Sequence, residues 1–232
     1  MLLFADLHCS PKTLNICLDV LRGIHKKALD SNQQIGFLGD FFDTVYRRGT
    51  IPVDMLNTLL DFFEKEWSVH MIMIPGNHDY IDASEKEHAL EPFRHASKHV
   101  HVLDDPCVLG NVLWVPWKRD NEELRTIFKK FTGEYDCIFG HFDVVGAHVN
   151  NNTASDRGLK KDDFPCQVIS GHYHKPQTMG NVVYIGSPYQ TSMSEAGQSK
   201  RFINFKSVTE FSPVYVKYGP KRFKITENPE TW

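Results

Sequence analysis

The sequence predicts an α/β fold in which mixed β-sheets are flanked by helices. Short apolar runs typical of buried strands alternate with segments whose apolar residues recur every three or four positions. Such alternation of strands and helices is typical of layered α/β folds. The stretch 100–117 contains apolar runs with no helical pattern between them, so either a mixed sheet or a second sheet is expected there.

The individual elements follow from the spacing of apolar residues and from their boundary signals. A first helix is predicted over 14–28 after Ser10 and Pro11, and a second over 53–63 after Pro52. Weaker helical patterns cover 84–98 and 121–131, and the polar, aperiodic stretch 150–164 predicts a long surface loop. The apolar runs predicted as strands are 2–5, 35–39, 69–75, 112–115, 137–140, 168–171, 182–185 and 202–205.

The length of 232 residues is sufficient for one sizeable core and short for two independent domains. We expect a main domain over 1–208 and a short C-terminal hairpin or tail over 209–232, without a full additional domain. The hydrophobic content of 41% is typical of a globular protein.

The formal net charge of -3 argues against strong autonomous binding to duplex DNA, which requires a basic face. It does not exclude a nuclease, because metal ions in a site can attract a phosphate locally. The five cysteines are scattered and form no CxxC pair, which argues against a disulfide framework or a thiolate zinc site. The apolar run before Asp6 is too short for a signal segment or a membrane span, so a cytoplasmic location is expected.

Polar side chains follow five of the predicted strands, at the point where each strand ends. They are Asp6 and His8, then Asp40, then Asn77, His78 and Asp79, then His141, and finally His172 and His174. Since ligands gather at the carboxyl ends of strands in open α/β sheets, we expect these groups to meet at one edge. A packing requirement alone would not place such residues at so many strand ends.

Carboxylate, imidazole and amide oxygen donors together favour Mn²⁺, Fe²⁺ or Zn²⁺ over a thiolate zinc site or an all-oxygen calcium site. One carboxylate can bridge two ions about 3.5–4 Å apart, which clamps the attacking and leaving oxygens of an in-line displacement. The sequence therefore predicts a two-metal centre.

The motifs around these residues resemble, in order, those of the calcineurin-like metallophosphoesterases. They are Asp6-Leu7-His8, Gly39-Asp40-Phe41-Phe42-Asp43, Gly76-Asn77-His78-Asp79, Gly140-His141 and Gly171-His172-Tyr173-His174. The resemblance covers roughly residues 1–190, and it implies that the main domain is a layered phosphoesterase domain.

The resemblance also implies the roles of these residues. One metal would be held by Asp6, His8, Asp40 and His174, and the other by Asp40, Asn77, His141 and His172. Asp40 would bridge the ions, and a metal-bridging hydroxide would attack phosphorus. His78 would stabilise the transition state or protonate the leaving oxygen. Asp43 would orient His78, with Asp79 as the alternative for that task.

Within the family, the chain resembles the SbcD/Mre11-type nuclease subunit. The stretches that carry this resemblance are 39–44, 171–177 and 184–190. It implies Mn²⁺-dependent cleavage of DNA phosphodiester bonds, as exonuclease or endonuclease, in DNA repair and recombination. It further implies a Rad50/SbcC-type ATPase partner and a homodimer. Such nucleases usually continue into a capping domain and an ATPase-binding segment, whereas only residues 191–232 follow Gln190 here.

Two alternatives remain for the function. The first is a phosphatase or phosphodiesterase acting on small nucleotide substrates, which a weakly acidic chain favours. The second is a scaffold without catalysis, which the complete set of ligand residues disfavours. Trp114 and Trp117 could stack on a base, but a buried strand with a half-exposed aromatic is the favoured interpretation. Lys118 and Arg119 could contact a nucleic-acid backbone or simply be solvated.

Overall fold

Two mixed β-sheets packed face to face form the centre of the protein, and helices cover their outer faces. The computed structural model describes residues 1–43, 51–149, 151, 153–217 and 219–223. Each sheet has six strands in this part of the chain. The predicted layered α/β fold with mixed sheets is confirmed, and the second sheet accounts for the strand-rich middle of the chain.

The first sheet has the strand order β12-β11-β1-β2-β3-β4. Strands β1 to β4 are parallel to one another, while β11 runs antiparallel to both β1 and β12. The bounds are β1 Leu2–Phe4, β2 Ile35–Leu38, β3 Met71–Ile74, β4 Val100–Val102, β11 Arg201–Ser207 and β12 Glu210–Tyr215.

The second sheet has the order β5-β6-β7-β8-β10-β9. Its four central strands are parallel, and the edge strands β5 and β9 are antiparallel to their neighbours. The bounds are β5 Cys107–Leu109, β6 Val112–Val115, β7 Cys137–His141, β8 Gln167–Gly171, β9 Gln177–Met179 and β10 Val182–Tyr184. Because β1–β3 and β7–β8 are each parallel, their carboxyl ends lie together, which is the condition for assembling a site there.

Helices cover the outer face of each sheet through their apolar stripes. Helix α1 (Leu14–Asp30) buries residues such as Leu21 and Ile24, and packs with α2 (Val53–Lys65) and α3 (Glu91–Ala96) against the first sheet. Helix α4 (Asn121–Lys130) packs against the second sheet. Short 3₁₀ turns lie at Lys161–Asp163 and Met193–Glu195. None of the described helices is long and apolar enough to span a bilayer.

The layer between the sheets is apolar, and its centre is Trp114. This side chain is 1% exposed and its ring centroid lies 5.0 Å from that of Phe139. Leu3, Ile74 and Ile169 fill the same layer. Trp114 is therefore a core residue, in agreement with the favoured interpretation of a buried strand.

The predicted helix over 84–98 forms only at Glu91–Ala96. Tertiary hydrogen bonds hold the preceding residues in turns, since Ala89 donates its backbone N–H to Asp79 and Ile81 donates to Glu87. The predicted division at residue 208 falls in the turn between β11 and β12, and it stays a prediction. Residues 224–232 of the predicted tail lie outside the described part of the chain.

Candidate metal centre

The carboxyl ends of β1, β2, β3, β7 and β8 meet at one edge of the two sheets. The structure brings together there the polar residues that the sequence singled out, in two clusters of donor atoms. One cluster contains Asp6, His8 and His174, and the other contains Asp40, His141 and His172.

In the first cluster, the potential metal-binding atoms of two histidines and one carboxylate face one another. The Nε2 atoms of His8 and His174 are 2.8 Å apart. The Oδ2 atom of Asp6 is fully buried and has no hydrogen-bond partner. A buried carboxylate oxygen without a partner is expensive unless a cation lies beside it. Burial raises the pKa of Asp6, because the carboxylate is unfavourable in this environment without a nearby positive charge.

In the second cluster, the amide oxygen of Asn77 lies beside the ring nitrogens of His141 and His172. Asn77 Oδ1 lies 3.1 Å from His141 Nε2 and 2.9 Å from His172 Nδ1, and these two nitrogens are 3.2 Å apart. The other nitrogen of His141 donates to the carbonyl of Leu38 at 2.7 Å. The other nitrogen of His172 donates to Asp143 at 3.0 Å. In the neutral rings the facing nitrogens therefore carry lone pairs, and a cation between them would satisfy all three acceptors.

Asp40 belongs to the second cluster and also faces the first. Its Oδ2 atom is 3.3 Å from His141 Nε2 and 3.8 Å from His8 Nε2. Burial lowers the pKa of His141, but the charge of Asp40 outweighs that effect and raises the pKa to about 9. The centre therefore attracts positive charge, and a carboxylate in this position fits a bridge between two ions.

The backbone is strained where it carries these groups. Of the six non-glycine residues with positive φ in the described chain, four are at the centre: Asp6 at 56°, His8 at 48°, Asp40 at 61° and His172 at 96°. Such conformations cost of order 1–3 kcal/mol each and concentrate at functional sites. Gly39 adopts a φ of 91°, and a Cβ there would come within 2.5 Å of His141 Nδ1. This close approach explains why glycine precedes Asp40.

Asp79 supports the loop that presents Asp40. Its fully buried carboxylate accepts backbone N–H groups from Gly76, Asp40 and Phe41 at 2.9 Å and from Phe42 at 3.0 Å. Burial and the charge of Asp40 raise the pKa of Asp79 to about 7. These bonds tie the loop after β2 to the loop after β3, so the geometry gives Asp79 a structural task.

His78 lies beside the clusters and its side chain is 33% exposed. Its backbone N–H donates to Asp40 Oδ1 at 2.8 Å, and its Nε2 lies 3.9 Å from Asp40 Oδ2. Nδ1 donates to the main-chain carbonyl of Asp43. A carboxylate oxygen of Asp43 lies within 4.8 Å of ring nitrogens of His78 and His8. These contacts support the prediction that Asp43 orients His78, through its carbonyl as well as its side chain.

Residues 1–188 match the family model described as Calcineurin-like phosphoesterase. The chain belongs to this family. It is 25% identical over 169 residues to the "Putative phosphoesterase 244L" of Invertebrate iridescent virus 6, covering 68% of this chain and 58% of the relative. It is also 25% identical over 213 residues to "Exonuclease subunit 1" of Enterobacteria phage T4, covering 82% of this chain and 60% of the relative. The chain thus spans about three fifths of the length of these curated relatives.

Enzymes of the calcineurin-like phosphoesterase family are hydrolases of phosphoester bonds that use two metal ions. The paired donor clusters match that requirement. The assignment of individual residues to each ion, and the roles of His78 and Asp43, stay predictions that this geometry supports.

Carboxylates outside the sequence motifs position two of the phosphoesterase's histidines. Asp143 accepts from His172 Nε2 at 3.0 Å and from the Tyr173 hydroxyl at 2.5 Å. Glu195 accepts from His174 Nδ1 at 3.0 Å and forms a 2.7 Å ion pair with Lys200. Such partners fix the ring orientation and the tautomer of a metal ligand.

Sequence analysis assigned no role to Asp143 or Glu195. Asp143 follows His141 by two residues, and this proximity in the sequence could have marked it as a residue of the site. Glu195 comes 21 residues after His174 and reaches it only through the fold. Burial raises the pKa of Glu195, but the hydrogen bond from His174 and the charge of Lys200 outweigh it, so the pKa lies well below its usual range.

An open groove runs over the metal centre and has two lobes. One has a volume of about 520 Å³ and is walled by Trp117 and Arg119, and the other has about 660 Å³ and is walled by Thr191 and Ser192. The lobes share the floor residues Asn77, His78, Asp143, Arg157 and His172. The candidate metal centre is therefore accessible from both sides.

Proposed function

We propose that the protein is a two-metal phosphodiesterase that cleaves DNA, with Mn²⁺ as its metal. The observation that carries this proposal is the groove, which extends on both sides of the candidate metal centre. A diester in a polynucleotide continues in both directions from the scissile phosphate, whereas a monoester needs a pocket on one side only. The relative named Exonuclease subunit 1 adds support.

The side chains at the strand ends provide the binding. Asp6, His8 and His174 would hold one ion, while Asn77, His141 and His172 would hold the other, with Asp40 in contact with both. When bound, the ions supply Lewis-acid polarisation of the phosphoryl group and a nucleophilic water at neutral pH. Asp143 and Glu195 hold His172 and His174 in the required orientation.

His78 provides the proton. Its Nδ1–H is engaged by the carbonyl of Asp43, and Nε2 lies at the floor of the groove near Asp40. A protonated Nε2 there can donate to the leaving oxygen or stabilise the charge that develops on the phosphoryl group. General acid catalysis of this kind contributes typically 10²–10⁴-fold.

The experiment compares three substrates with Mn²⁺: linear DNA, bis-p-nitrophenyl phosphate and p-nitrophenyl phosphate. We expect hydrolysis of DNA and of the model diester, with a loss of about 10²-fold or more in His78→Ala. The matched control is His95→Ala, because the His95 side chain is 77% exposed on α3.

Two results would overturn the proposal. Hydrolysis of the monoester alone would indicate a phosphatase for small nucleotides. Inertness towards all three substrates, with Mn²⁺ bound, would indicate a scaffold. The predicted ATPase partner of the Rad50/SbcC type and the predicted homodimer stay predictions.

A further inference from the structure

Trp117 is fixed beside the metal centre by the same strand end that presents the catalytic loop. It follows β6 and donates its backbone N–H to the carbonyl of Pro75 at 3.0 Å. Pro75 directly follows β3 and precedes the loop of Asn77 and His78. The Trp117 ring is half-buried and lines the groove lobe of about 520 Å³. This main-chain hydrogen bond therefore holds Trp117 next to the loop that carries Asn77 and His78.

The Trp117 ring has an aromatic neighbour, Tyr80, and a cationic neighbour, Arg119. The ring centroid of the buried Tyr80 lies 6.2 Å away, tilted by 47°. The guanidinium carbon of Arg119 lies 5.9 Å from the Trp117 centroid. An aromatic wall with a neighbouring guanidinium offers a base both stacking and cation–π contact.

Two guanidinium groups line the groove, and the nearby charges of Glu85 and Asp143 act on Arg119 and Arg157 respectively. Arg119 and Arg157 are exposed, and neither has a carboxylate within ion-pair distance among the described residues. Lys118, by contrast, pairs with Glu123 at 3.3 Å. Arg119 lies in the Trp117 lobe, whereas Arg157 borders both lobes. Exposed guanidinium groups along a groove are suited to the phosphates of a nucleic-acid strand that passes over the centre.

We propose that the Trp117 lobe binds one unstacked nucleobase next to the scissile phosphate, with Arg119 and Arg157 contacting the flanking phosphates. This inference rests on the proposed diesterase function and specifies the substrate as single-stranded nucleic acid. A base within a duplex has both faces covered by its neighbours, so only an unpaired or frayed strand presents a face to Trp117. The lobe has the volume of a nucleotide-sized ligand site.

The test isolates the contribution of the base. Single-stranded oligonucleotides carry either a normal residue or an abasic residue at each position around a defined cleavage site. Hydrolysis with Mn²⁺ is measured for the wild type, Trp117→Ala and Trp117→Phe. We expect Trp117→Ala to lower kcat/KM for the normal strand by between about 5-fold and about 150-fold more than for the abasic strand. Trp117→Phe restores most of that difference because a ring remains.

A binding measurement gives a second readout that is independent of turnover. Oligonucleotides with one 2-aminopurine are titrated with metal-free protein in EDTA, and their fluorescence is recorded. Stacking on the indole quenches the probe at one position in the wild type, and Trp117→Ala abolishes this quenching. The matched control is Phe131→Ala, which removes a partly buried aromatic that also carries a cation, Lys130 at 5.0 Å. Phe131 does not line the groove, so its loss should leave quenching and hydrolysis unchanged.

The outcomes separate this inference from the proposed function. If the wild type does not hydrolyse DNA or the model diester, the diesterase function itself is wrong. If it hydrolyses both, but Trp117→Ala affects normal and abasic strands equally and quenching persists, the base site is wrong. Equal affinity for mononucleotides and for longer oligonucleotides would indicate that the lobe binds free nucleotides. That result would overturn the proposal that it binds a base of a polynucleotide.

Discussion

Variants of the buried ion pair between Glu195 and Lys200 can separate an effect on stability from an effect on metal binding. Both side chains are 5% exposed, and their charged atoms are 2.7 Å apart. Glu195 also accepts from His174 Nδ1 at 3.0 Å. The variant Glu195→Gln removes one charge from this pair and leaves the ammonium of Lys200 buried without its counter-ion.

Removing one partner of a buried pair costs about 3–5 kcal/mol, because the remaining charge stays desolvated. With a urea m-value of about 3 kcal/mol/M, the midpoint of unfolding should fall by roughly 1–1.7 M. The double variant Glu195→Gln/Lys200→Met removes both charges and should recover most of that loss. In both variants His174 lacks its carboxylate, so Mn²⁺ affinity should fall by about 10- to 100-fold.

The assay combines urea denaturation of the metal-free protein with a competition titration against a fluorescent chelator. The control is Asp61→Asn, which breaks the 2.8 Å pair with Lys65 on the surface of α2, where both side chains are more than 60% exposed. Exposed pairs contribute about 0–1 kcal/mol. The reasoning is refuted if Glu195→Gln destabilises no more than this control. It is equally refuted if the double variant binds Mn²⁺ as tightly as the wild type.

Three further predictions concern the site and its support. Phe93→Ala empties a fully buried position on α3 and should lower the free energy of unfolding by about 3–5 kcal/mol in urea titration; a loss below 1 kcal/mol would contradict the packing described. Gly39→Ala should abolish high-affinity Mn²⁺ binding in calorimetry, since its Cβ would lie 2.5 Å from His141 Nδ1. Asp143→Asn should weaken Mn²⁺ binding by about 10- to 100-fold, because His172 loses its carboxylate partner. Unchanged affinity in either variant would count against the corresponding contact.

The sequence was sufficient to predict the layered fold and the residues that meet at the centre, because strand ends and metal-binding donors both leave local patterns. Asp40 is recognisable from a buried run followed by glycine and a carboxylate. Glu195 is not, because its contact with His174 depends on how a 3₁₀ turn packs against a distant loop. The same reason explains the short α3, where backbone bonds from residues 81 and 89 override a helical pattern.

Trp117 illustrates a different difficulty. Its neighbour Trp114 is a core residue, and the sequence pattern led to the same interpretation for both aromatics. The strand β6 ends at Val115, so Trp117 lies beyond it, against the groove instead of between the sheets. A position two residues past the end of a strand, instead of within it, decides whether an aromatic lines a site or packs in the core, and local composition does not reveal this difference.

The most direct test of the account is the stoichiometry and coupling of bound Mn²⁺. Titration followed by electron paramagnetic resonance should show two ions per chain at saturation, with the signal of an exchange-coupled pair, because Asp40 belongs to the second cluster and also faces the first. Asp40→Asn should reduce or remove that coupling. Saturation at one ion per chain, or two ions without magnetic coupling in the wild type, would contradict a centre bridged by Asp40.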